Sequence, residues 1–85
     1  MSLAENLNKA LKYLHEAWKT YDIKIERCCY SDVLAALDDV IDNDVGVDVQ
    51  TFDEVVVVRF WWDGNDWALL YSKYYDLCYV IMPRK

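Results

Sequence analysis

The sequence predicts an α+β fold: two helices packed on one face of a mostly antiparallel sheet of four to five strands, in the order α-β-α-β-β-β-β. Three observations carry this. Apolar residues recur at helical spacing near the start, the period switches to two after Gly46, and "VVVVRFWW" joins β-branched and aromatic residues without a breaker. With 85 residues, two Gly and one Pro, the chain makes a single domain, residues 1–85, with little material for long loops.

Leu3, Leu7, Ala10, Leu11, Leu14, Ala17, Trp18 and Tyr21 form one stripe of a first helix. Ser2 and Glu5 have the spacing of a capping box. Ile23 and Ile25 alternate with Lys24 and Glu26, the pattern of a half-buried strand. Ser31 reads as the N-cap of a second helix whose stripe is Val33, Leu34, Leu37, Val40 and Ile41. Val45, Val47 and Val49 then alternate with Asp48 and Gln50 as a short strand, and Asp53–Glu54 make a turn. Two long strands follow around "DGND". Taking Gly64–Asn65 as the central pair sets Trp62 opposite Trp67, Phe60 opposite Leu69 and Asp63 opposite Asp66. "LCYVIM" is the last strand, and the passage through the second helix suggests one parallel strand pair.

The charge map is uneven. The net charge is −6, and residues 28–58 carry eight acids and no base. This disfavours direct nucleic-acid binding, which needs clustered Lys and Arg to release counterions. Asp38, Asp39 and Asp42 load the C-terminal half of the second helix, where the macrodipole opposes anions, and Asp44 follows. Asp48, Asp53 and Glu54 extend the charge. A solvated surface is one account. The sharper one is an acidic face for a basic protein partner, and mimicry of a row of phosphates would let it inhibit a nucleic-acid-handling protein.

The sheet carries apolar residues on both faces. Val55, Val57, Arg59 and Trp61 share one face with Leu70 and Tyr74, and two short helices cover only one face. These six residues are therefore the expected interface of a homodimer, and a structural or accessory homodimer is the alternative function. A weak divalent-metal or small-ligand binder is a further alternative. Asp42, Asp44, Asp48, Gln50 and Asp53 fall at steps 1, 3, 7, 9 and 12 of a calcium loop. Gly46 at step 5 and Val47 at step 6 break that pattern, so no metal site is assigned.

Nothing points to an enzyme, and no catalytic residue or cofactor is assigned. His15 is the one histidine, at the edge of the first helix's stripe, and no cysteine is placed beside it by spacing. No Gly-rich phosphate loop occurs. Three cysteines, two of them adjacent, read as reduced thiols, with a bridge from Cys78 to Cys28 or Cys29 left open. No signal peptide is read in "MSLAENLNKALKYL", and no apolar run reaches the ~20 residues of a membrane span. The expected location is cytoplasmic.

Overall fold

The computed structural model describes residues 2–29, 31, 32, 35, 38, 47–72 and 74–84. It is an α+β fold with helix α1 (Leu3–Trp18) and strands β1 (Ile23–Arg27), β2 (Asp48–Phe52), β3 (Val55–Trp62), β4 (Asn65–Ser72) and β5 (Leu77–Pro83). The strands form a single sheet in the order β1-β5-β4-β3-β2. β2 to β5 form a meander of three hairpins, and β1 joins the free edge of β5. Every pairing is antiparallel, so the expected parallel pair does not form: β1 and β2 stand at opposite edges and never meet.

The expectation of two helices is not borne out. α1 is the single complete helix among the described residues. Ser31, Asp32, Ala35 and Asp38 have helical backbone and are exposed. Val33, Leu34, Leu37, Val40 and Ile41, the expected buried stripe, lie outside the described residues, as do Asp39, Asp42 and Asp44.

α1 begins as the capping spacing requires: the Glu5 amide donates to Ser2 Oγ at 3.2 Å. It ends at Lys19, whose left-handed backbone (φ 56°) lets its amide return to the His15 carbonyl. Ala10 and Leu14 face the sheet and pack with Val55, Val57, Ala68, Leu70 and Ile81. On the opposite face Val58, Phe60, Leu69 and Cys78 are buried, with Cys28, Val47 and Trp67 against them. Thus both faces of the central strands belong to the interior. Cys28, Cys29 and Cys78 are free thiols, and burial first, then the neighbouring Cys28, pushes the Cys78 thiol up to about 12.

The β3–β4 hairpin departs from its expected register by two residues. Its central pair is Asp63–Gly64, and Trp62 faces Asn65, Trp61 faces Asp66 and Phe60 faces Trp67. Both central residues hold positive φ, 53° and 76°, the requirement of a tight turn matched to the strand twist. "DGND" offers two good turn dipeptides, and only Asp-Gly puts glycine second, where no side chain is needed. A shift of two leaves every side chain on its expected face. It separates Asp63 from Asp66 and turns Trp62 and Trp67 into diagonal neighbours, edge to face at 6.3 Å. A Cβ at position 64 would meet nothing within 4 Å, so a Gly64→Ala change isolates the backbone term. It is expected to lower stability by about 1 kcal/mol, read from urea melts.

α1 lies over β2 and β3 rather than over the sheet centre. Five strands span about 19 Å, whereas a helix covers about 10 Å. The β1–β5 side of this face is left as an apolar groove of about 290 Å³, lined by Leu7, Leu11, Ile25, Leu70, Tyr79 and Ile81. No described helix is long and apolar enough to cross a membrane.

Candidate functional site

Beside α1, on the same sheet face, pairing brings charged and aromatic side chains together. β2 sets Asp48 directly opposite Arg59 of β3, and β4 sets Asp66 opposite Trp61. Asp48, Arg59, Phe60, Trp61 and Asp66 line a notch of about 110 Å³. Tyr13 of α1 is hydrogen-bonded to Asp48 and Arg59 of this lining.

The inner half of the notch is a closed network. Tyr13 Oη donates to Asp48 Oδ2. Arg59 Nη2 donates to the same oxygen at 3.1 Å and Arg59 Nε donates to Tyr13 Oη at 3.1 Å. Gln50 Nε2 reaches Asp48 Oδ1 at 3.4 Å. The Arg59 guanidinium also lies 5.9 Å from the centre of the Tyr13 ring.

Each group is held in its ordinary charge state. The Tyr13 hydrogen bond, then Arg59, holds the Asp48 carboxyl below the usual carboxylate range. Burial, then the bond to Asp48, pushes the Tyr13 phenol up. Tyr13 first, then Asp48, raises Arg59 further. A carboxylate so shifted is a weak base and a phenol so shifted a weak nucleophile, which suits the network to fixing charge rather than moving protons.

The outer half is different. Asp66 makes no ion pair or hydrogen bond among the described residues, and Trp61 is 51% exposed beside it. Asp48 and Arg59 balance one another, so the notch keeps one uncompensated negative charge beside an open indole.

The remaining acidic residues of the sequence reading do not join this site. Asp53 and Glu54 sit at the far end of β2, about 16 Å along the strand from Asp48. Both accept hydrogen bonds from the buried Asn6 amide, at 3.3 and 3.4 Å, and Glu54 also accepts from Tyr75 Oη. They anchor α1, near the N-terminus where anions are favoured. Asp38 is exposed, and Asp39, Asp42 and Asp44 lie outside the described residues. Among the described residues the acidic side chains do not converge on one patch, and Asp48 is paired with a guanidinium. The separation of Asp48 from Asp53 likewise opens the calcium-loop spacing, and no described His, Cys, Asp and Glu side chains gather in a metal-ligating group.

The expected dimer face is also corrected. Val55, Val57 and Leu70 are at most 2% exposed beneath α1 and are core. Tyr74 is exposed at the opposite end of the sheet from Trp61. Of the six interface candidates, only Arg59 and Trp61 reach the notch. Sequence reasoning misses Tyr13, which lies off the chosen stripe, and Asp66, which the expected register sets against Asp63. No protein-family model, curated protein or solved structure matches the chain.

Proposed function

We propose that this chain is a non-enzymatic interaction protein, and that its notch receives a cationic side chain of a basic protein partner. The observation that carries this is Asp66, without a side-chain partner among the described residues and directly opposite the exposed indole of Trp61. An ammonium or guanidinium seated there gains a carboxylate on one side and an aromatic face on the other. A notch of about 110 Å³ is the size of such a head group, not of a folded ligand. The net charge of −6 adds long-range attraction for a basic surface. Nucleic acid itself fits poorly, since Lys24, Arg59 and Arg84 each sit against an acid. Mimicry of a phosphate row has less support, because Asp48, Asp53 and Glu54 are engaged within the fold.

The test is titration with hexa-arginine and hexalysine, followed by isothermal titration calorimetry. Asp66→Asn and Trp61→Ala are each expected to weaken binding about tenfold, and high salt to abolish it. Asp32→Asn, an exposed acid on helical backbone, serves as the control and is expected to change nothing. Equal losses at Asp32 and Asp66 would reduce the effect to net charge and end the assignment of the notch.

A further inference from the structure

We infer that the free edge of β1 is the contact through which two copies of this chain pair, antiparallel and centred on Ile25. β1 is the outermost strand of the sheet, and Lys24, Ile25, Glu26 and Arg27 are exposed. Which of its backbone groups face outward is fixed by the bonds it makes inward. The Arg84 amide donates to the Asp22 carbonyl at 2.9 Å, and the Cys28 amide donates to the Cys78 carbonyl at 3.1 Å. Both pairs lie on the β1–β5 register, in which Lys24 faces Met82 and Glu26 faces Val80. Hydrogen-bonded and non-hydrogen-bonded pairs alternate along an antiparallel ladder. The even-numbered residues of β1 therefore bond to β5, and Ile23, Ile25 and Arg27 point their N–H and C=O groups away from it, where no described strand meets them.

Two such edges related by a twofold axis can exchange hydrogen bonds in only a few registers, and charge selects among them. Centring on Lys24 sets two ammonium groups opposite each other, and centring on Glu26 does the same with two carboxylates. Centring on Ile25 sets Lys24 against Glu26 of the second copy, twice, in the non-hydrogen-bonded positions where side chains approach most closely. The Lys24–Glu26 pair already present within one strand, at 2.9 Å, then becomes half of an alternating four-charge cluster. The same register is the one that uses all five residues of β1. On the other side of the strand it lays Ile25, 46% exposed, on its own symmetry mate. It also joins the two grooves lined by Leu7, Leu11 and Tyr79 across the axis. A self-complementary patch of this kind is what a closed two-subunit contact requires. The other edge, β2, offers no such selection: its single charged residue, Asp48, is held by Arg59 and Tyr13.

Sedimentation velocity over a range of concentrations tests this. Wild type is expected to dimerise, and Glu26→Lys and Lys24→Glu each to weaken the dimer roughly tenfold or more by setting like charges opposite. The double exchange Lys24→Glu/Glu26→Lys restores it, and an equimolar mixture of the two single variants forms a heterodimer. Both positions are exposed, so the variants keep the fold, which circular dichroism checks. In the dimer the amides of Ile23, Ile25 and Arg27 gain protection from hydrogen exchange. A wild type that stays monomeric overturns the inference, as does a dimer indifferent to these exchanges.

Discussion

Leu70→Ala is expected to cost about 2–5 kcal/mol, at its upper end the whole stability of a domain this small. Leu70 is 2% exposed and stands at the centre of β4, between Val57 of β3 and Tyr79 of β5, in one core cluster with Ala10 and Leu14 of α1. Truncation removes apolar contact with these neighbours and leaves a void, opening into the groove beside Leu7 and Leu11, that three hydrogen-bonded strands cannot collapse to fill. A domain this small has a stability on the order of 5 kcal/mol, so one such cavity consumes most of the margin. Trp61→Ala provides the contrast. It removes a larger side chain from the same sheet face, yet Trp61 is 51% exposed beyond the cover of α1 and its loss is expected to cost within about 0.5 kcal/mol. Urea melts of the two variants distinguish core from surface on this face. A Leu70→Ala protein with wild-type stability and an altered oligomeric state would return Leu70 to an interface, and the placement of α1 would be wrong.

That contrast shows where the sequence was legible. Alternation told which residues of β3 share a face, because it depends only on the pleat. It could not tell which face α1 covers, since Val55–Val57 and Val56–Val58 are equally apolar. The helix settles on the former face because its own flank offers partners there: Tyr13 meets Arg59 and Asp48, and Asn6 meets Asp53 and Glu54. One half of the notch was within reach of the sequence. A turn at Asp53–Glu54, read correctly, pairs Phe52 with Val55 and hence Asp48 with Arg59. The other half was not, because Asp66 meets Trp61 only in the Asp63–Gly64 register, and "DGND" admits two. Acidic residues also mislead by doing backbone work. Asp53, Asp63 and Asp76 all hold positive φ, a conformation Asp tolerates better than most residues, so turn geometry accounts for part of the negative charge without any partner.

Asn6→Asp is expected to be the most damaging substitution on α1, and its cost should depend on pH. Asn6 is 1% exposed, and its amide nitrogen is the donor between two carboxylates, Asp53 and Glu54. Replacing that nitrogen with a carboxylate oxygen turns two attractive contacts into two repulsive ones at a buried position. A buried charge left without compensation costs about 3–5 kcal/mol, against about 1–3 for Asn6→Ala, which only leaves acceptors unmet. The sign of the pH effect follows from the new group. Burial and two neighbouring anions raise its folded pKa above the unfolded value of about 3.9. The protonated form, which can still donate a hydrogen bond, is therefore favoured in the fold. Its stability is fully present below the unfolded pKa and is lost as pH rises through the folded one. The gap between wild type and Asn6→Asp should be widest at neutral pH and narrow as pH falls toward about 4, while the Asn6→Ala gap changes far less over the same range. Thermal melts of the three proteins from neutral to mildly acid buffer measure both gaps. An Asn6→Asp gap that stays flat with pH would mean that Asp53 and Glu54 do not face α1, and that their charge is free for a partner after all.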